Sequence, residues 1–197
     1  SGVSHAAVTH AKVVPWIDAR ADAWSRLRRE VCVEARVSGT RSASSYALVS
    51  ACLDERRDEL AALLVVLTTD DRGAVERAVP AVAGLTALES CLDPAHVERR
   101  PPPPGVEATR VRVTELRRDL FHVQGLLAAG RYADGLRQAE SLLVQAVALG
   151  HPPLIAEAQL QVGKSAIRAG RFDRAEEMLT LAHVEAGAIG ADEVAAT

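Results

Sequence analysis

Apolar residues recur along this chain at three- and four-residue intervals, and no stretch keeps up a sustained one-on, one-off alternation of strand-forming residues. The pattern predicts helices throughout. Pro15 suits the first turn of a helix, and 15–38 is a long amphipathic stretch. It carries Trp16, Ala23, Leu27, Val31 and Cys32 on one face, with Arg20, Arg28, Arg29 and Glu34 largely elsewhere. Residues 3–14 are weakly patterned and read as the end of an earlier helix. After a break at Gly39 and the serines of 42–45, a second helix is expected over about 44–68, carrying Leu48, Cys52, Leu60, Leu63, Leu64 and Leu67. The charge run DERRDE at 54–59 reads as its solvated face. Asp70 and Asp71 would cap a third helix over about 72–85, kinked or ended early by Pro80. A short fourth covers 86–93. The four prolines at 101–104 favour a stiff, extended connection, and the next helix is expected over about 107–129.

Further on the chain repeats itself. GRYADGL at 130–136 returns as GRFDRAE at 170–176, so Gly130 and Gly170 stand 40 residues apart. At the same offset Tyr132 answers to Phe172, Leu120 to Leu160, Ala146 to Ala186 and Gly150 to Gly190. A fixed period of this size marks stacked helix pairs. Gly130 and Gly170 stop each first helix by taking the left-handed cap. Tyr132 and Phe172 open each second helix and are expected to fill the wedge between the pair. Gly135 and Ala175 are small because a larger side chain would hold the two helices apart.

These motifs resemble the tetratricopeptide repeat (TPR) in its long-period form. The resemblance implies an all-α, antiparallel helix-pair array, coiled as a right-handed solenoid behind an N-terminal helical block. It divides the chain into a start and preceding segment at 1–14, a helical block at 15–100, a proline-rich linker at 101–106 and repeats at 107–197. The repeats span about 116–155 and 156–195. After Gly190, ADEVAAT occupies the place that HPPLIAE fills after Gly150, which reads as a third unit cut short. The apolar residues of 179–189 (Leu179, Leu181 or Ala182, and Ile189) would then lack a neighbour, so self-association or fraying is expected at that end. With Ser1-Gly2 reading as a cloning remnant, the chain reads as a piece of a larger protein.

Composition narrows the picture. Of 197 residues 48% are hydrophobic but only 3% aromatic, so the core must be built from Leu, Val and Ala. A net charge of −3 and a pI near 6.1 give no electrostatic footprint for nucleic acid. No run approaches the ~20 apolar residues that cross a bilayer, so membrane insertion is not expected. The six histidines (5, 10, 96, 122, 151, 183) never stand three or four residues apart, which leaves a metal site unsupported and no cofactor implied. The tail VGKS at 162–165 lacks the first glycine of a phosphate loop, because Ala158 holds that place, and it lies mid-helix.

A broader resemblance rests on order and spacing. The series runs Trp24, Cys32, Cys52-Leu53-Asp54-x-Arg56, Glu59-Leu60-x-x-Leu63, Leu88-x-x-Cys91-x-Asp93, the proline run and GRYADGL. Over about 13–197 it is similar to the C-terminal region of the large serine/threonine protein kinases of myxobacteria and related bacteria. What this implies is a non-catalytic regulatory or partner-binding tail of a kinase. The kinase itself is absent: there is no Gly-rich loop, no His-Arg-Asp and no Asp-Phe-Gly. The resemblance also implies a parent anchored in the membrane with this region outside the cytoplasm; without an anchor it would be cytoplasmic.

Two expectations concern particular residues. A protein partner would lie in the groove lined by the first helix of each unit, on Arg117, Leu120, Gln124 and Leu127 and on Glu157, Leu160, Lys164 and Ile167. Leu120, Leu160 and Ile167 suit a core equally well. A chaperone's acidic tail is a poor fit, because only Lys164 and Gln124 approach the required Lys and Asn set. The alternative function is a sensory domain that binds a small ligand or self-associates. The three cysteines also leave two states open. All three are thiols acting as small hydrophobes, or Cys52 and Cys91, level across a turn near residue 71, form a disulfide in an oxidising compartment and leave Cys32 free.

Overall fold

The computed structural model describes residues 6–69 and 72–189 (for Ile189 the backbone alone), and every regular element within them is helical. The helices are α1 (Ala6–Arg36), α2 (Ala43–Leu67), α3 (Arg72–Ala83), α4 (Pro94–Glu98), α5 (Glu107–Ala128), α6 (Tyr132–Leu149), α7 (Pro152–Arg168) and α8 (Phe172–Ile189). A 3-10 turn, Glu89–Leu92, precedes α4. The chain divides into two compact units, one ending at Glu98 and the other beginning at Arg99. Asp70 and Asp71, the expected cap of α3, lie outside the described residues, as does the expected opening of a third repeat at 190–197.

In the first unit α1 packs on α2 and α3, and α2 also meets α3, α4 and the 3-10 turn. The core joins Val31, Val49, Cys52, Leu53, Leu88, Cys91 and Val97. α2 starts because Ser42, extended at φ −67° and ψ 156°, accepts the Ser45 amide through its hydroxyl at 3.1 Å. Trp24 seals α1 to α2 by donating its indole N–H to the Leu53 carbonyl at 2.7 Å. Cys52 and Cys91, 1% and 0% exposed, are joined as a disulfide with their Cα atoms 5.5 Å apart; Cys32 is free and exposed.

Four expectations fail in this unit, the first being the short helix over 86–93, where the chain forms only the 3-10 turn Glu89–Leu92 before α4 begins at Pro94. Pro15 does not begin a helix: α1 runs through it from Ala6. A proline inside a helix forfeits its own hydrogen bond and clashes with one carbonyl, a cost that α1 carries at Pro15. Trp16 (49% exposed) and Cys32 lie off the buried stripe, which follows Arg20, Trp24, Leu27 and Val31. The run 54–59 is not simply a solvated face. Arg56 and Glu59 fall on the stripe Cys52, Arg56, Glu59, Leu63, Val66, spaced by four, three, four and three residues, and Glu59 is 7% exposed.

The buried glutamate has a task. One carboxylate oxygen of Glu59 accepts both the amide (3.1 Å) and the hydroxyl (2.9 Å) of Thr86. The other faces Arg20 at 3.7 Å and Arg56 at 3.5 Å. Arg20 in turn donates to the Thr86 carbonyl at 2.7 Å. Burial pushes the Arg20 guanidinium's pKa down, and Glu59 opposes that shift. The connection after α3, which has no backbone ladder of its own, is held by side chains from α1 and α2.

In the second unit α5 packs on α6, α6 on α7 and α7 on α8, while α5 also meets α7. Its core contains Val113, Leu116, Leu120, Val123, Leu142, Leu154 and Met178 among others. The two turns of the repeat close identically. Arg131 N–H bonds the Leu126 carbonyl at 2.8 Å and Gly130 N–H the Leu127 carbonyl at 3.0 Å. Arg171 bonds Ala166 at 2.8 Å and Gly170 bonds Ile167 at 3.1 Å. Each is the paired six-to-one and five-to-two closure that needs a left-handed residue, supplied by Gly130 (φ 83°) and Gly170 (φ 72°).

Small residues set the helix spacing. A Cβ on Gly135 would lie 2.8 Å from Leu127 Cδ2, and one on Gly163 would lie 2.6 Å from Leu179 Cγ and Cδ2. Ala175 is 3% exposed. The aromatics behave differently from expectation. Both open their helices, but Tyr132 is only half-buried and Phe172 is 69% exposed, so Phe172 does not fill the wedge. Leucines fill the space beside the small residues instead. Leu179 packs on Gly163 and Ala182 is buried, while Leu181 and Val184 are the large apolar residues exposed in that stretch among the described ones; the side chain of Ile189 lies outside them.

Two measurements check this account. In the denatured, unreduced protein one free thiol should be counted, with peptide mapping joining Cys52 to Cys91. Cys52→Ser should then cost about 3–4 kcal/mol, the scale for a loop of this length; three free thiols would overturn the bond. Separately, Gly163→Ala should destabilise by about 1–3 kcal/mol through overpacking against Leu179. Gly187→Ala on α8, where nothing lies within 4 Å of the new Cβ, should stabilise by about 0.5–1 kcal/mol. Urea melts of the two variants showing the same sign would contradict the packing described.

Candidate partner-binding face

The first helices of the two repeats, α5 and α7, lie against each other, and their facing residues can be followed in register. Arg117 on α5 and Glu157 on α7, equivalent positions 40 residues apart, form a two-pronged ion pair at 2.9 and 2.6 Å. Both side chains are about a quarter exposed, 24% and 28%. Planar guanidinium and carboxylate in this arrangement give directional, charge-assisted bonds. The pair ties α5 to α7 and cancels its own charge.

The other expected groove residues divide. Leu120 is 5% exposed and belongs to the core. Leu127 is half-buried and occupies the space over Gly135 of α6, which turns it toward its own pair and away from an open groove. Leu160 is half-buried, while Gln124 and Ile167 (46%) are exposed. Lys164 follows Glu157 by seven residues and so lies on the same face two turns on. It is half-buried and, among the described residues, has no hydrogen bond or ion pair. Burial alone pushes its pKa down. Gln161, one turn before Lys164, is 5% exposed, and its amide nitrogen has no partner.

Sequence reasoning missed His151 and the pairing of Arg117 with Glu157. His151 precedes α7 and its carbonyl accepts the Leu154 and Ile155 amides. Burial lowers its pKa first, Arg117 lowers it further, and Glu157 pulls the other way. Only the fold brings His151 to that ion pair. The Arg117–Glu157 pairing did have a signal in the sequence: opposite charges at equivalent places in adjacent repeats.

Two concavities lie away from this face. One, of about 430 Å³, is bounded by the turn 130–134 and by Arg168 and Ala169. Asp134 there is held below the usual carboxylate range, chiefly by the hydrogen bond from Arg131 and then by that from Arg137. The other, about 260 Å³, lies in the first unit between α1 and α2 beside Trp24, Leu60 and Leu88, with Arg20, Arg56 and Arg57 on its wall. Among the described residues no group of His, Cys, Asp or Glu could hold a metal ion, and no helix is long and apolar enough to cross a membrane. No family model, curated protein or solved structure matches the chain.

The environment of His151 gives a pH dependence. Its folded-state pKa is depressed, so protons favour the unfolded chain. The contribution to stability is therefore whole above the unfolded imidazole's value near 6.5 and is lost as pH falls through the folded one. His151→Gln should shrink the stability difference between pH 7.5 and pH 5.5 measured by urea melts. An unchanged difference would remove His151 from the account.

Proposed function

We propose that the second unit is a TPR-like protein-interaction module, a right-handed helix-pair array that binds a partner segment along the face shared by α5 and α7. The observation that carries this reading is the register of that face. Equivalent residues of the two first helices meet at Arg117 and Glu157, and the same helices present Gln124, Lys164 and Ile167 to a ligand. The repeat motifs, the matched turn closures at Gly130 and Gly170 and the small residues Gly135, Gly163 and Ala175 support the array. The module itself is non-catalytic. On the resemblance in order and spacing it serves a bacterial serine/threonine kinase in signal transduction, as a regulatory region outside the catalytic domain. A second reading, ligand sensing by the first unit, would have to use the half-open cleft of about 260 Å³ beside Trp24.

Site-specific photocrosslinking tests the first reading. A photoreactive residue at Gln124 or Ile167, placed in the full-length protein in its own cells, should capture a partner that the same residue at Val144 does not. Val144 is a fair control because it is 70% exposed and sits on a second helix, α6. Capture from Val144 alone, or equally from all three positions, would refute the proposed face.

A further inference from the structure

The α5–α7 face is chemically uneven. At one end Arg117 and Glu157 satisfy each other, so neither charge is left over for a ligand. Two turns along, Lys164 is a half-buried cation with no counter-charge among the described residues, and Leu160 and Ile167 share its helix face. It is the one lysine in the second unit. Gln124 stands at the equivalent place on α5 and adds an uncharged donor, and the unpartnered amide nitrogen of Gln161 lies one turn before Lys164. The unpaired charge of Lys164 thus has an exposed aliphatic neighbour on its own face in Ile167.

We propose that Lys164 selects the partner: the face takes an extended peptide segment that sets one aspartate or glutamate carboxylate on the Lys164 ammonium and an adjacent aliphatic side chain on Ile167. This rests on the partner-binding reading above and adds the partner's chemistry. A half-desolvated ammonium gains from an opposing carboxylate more than a fully hydrated one does, because part of its water is already gone. Lys164 takes one side-chain carboxylate of the segment, and Arg168, exposed one turn on, can meet a second. Lys164 gives charge recognition, and Ile167 gives contact area.

The experiment pans a random-peptide library against the intact chain. Recovered peptides should carry Asp or Glu within two positions of Leu, Ile or Val. They should bind the wild type about tenfold or more tightly than Lys164→Met, the scale of one charge-assisted hydrogen bond, with the advantage shrinking as salt is raised. Circular dichroism and urea melts of Lys164→Met confirm that the variant is folded. Peptides without an acidic residue, or acidic peptides that bind Lys164→Met equally, overturn the proposal. If such peptides still lose affinity with Ile167→Ser, the partner face stands and only the role of Lys164 falls. Peptides indifferent to both substitutions, or no recovered binder at all, sink both.

Discussion

Two helices can approach only as closely as the side chains between them allow, and in a chain with so few aromatics that limit decides the architecture. Gly135 and Gly163 lack the carbon that would strike Leu127 and Leu179, and Ala175 adds a single methyl where the next copy of the motif repeats Gly135. Each leucine then fills the space that a larger residue would have claimed, at interior packing density. Between the pairs α5 meets α7, where Arg117 reaches Glu157 with two short bonds. Within each pair, close approach is thus a consequence of what is missing from the helices.

The first unit meets the same shortage of bulk by other means. Its small core is fastened by a disulfide and by a buried carboxylate that gathers Thr86, Arg20 and Arg56. Buried charges are costly unless they are paired and hydrogen-bonded. Glu59 is justified by the loop it holds: the segment after α3 has polar backbone groups and no regular structure to satisfy them. Its bonds to Thr86 run across 27 residues of sequence, closing α2 onto the far side of α3.

Much of this was legible in the sequence, and the misreadings have physical causes. Helix extents were close, about 44–68 against Ala43–Leu67 and 107–129 against Glu107–Ala128, because capping serine, glycine and proline punctuate the apolar periodicity. The glycine turns were legible because left-handed backbone leaves few alternatives to Gly. Pro15 misled because a proline's preference for a first turn is statistical, and a long helix can accommodate one in its interior. The charge run 54–59 misled because composition was weighed before periodicity, although Arg56 and Glu59 keep strict step with Cys52, Leu63 and Val66. Phe172 and Leu127 misled for one shared reason: a helix-face argument says which residues lie together, not which neighbour will cover them. The half-desolvation of Lys164 depends on that same missing information.

The disulfide has a consequence for a chain held under tension. In the second unit no helix contacts another more than two elements away among the described residues, so pulling on its C-terminal end would strip α8 from α7 without disturbing α5. Such an array lengthens one element at a time from its end. The Cys52–Cys91 bond removes 39 residues of contour from the first unit, some 130 Å of extension at ~3.4 Å per residue, and α3, lying between the two cysteines, would carry no load. The second unit is therefore extensible throughout, whereas in the first the loop between Cys52 and Cys91 is withheld and only the chain outside it can lengthen.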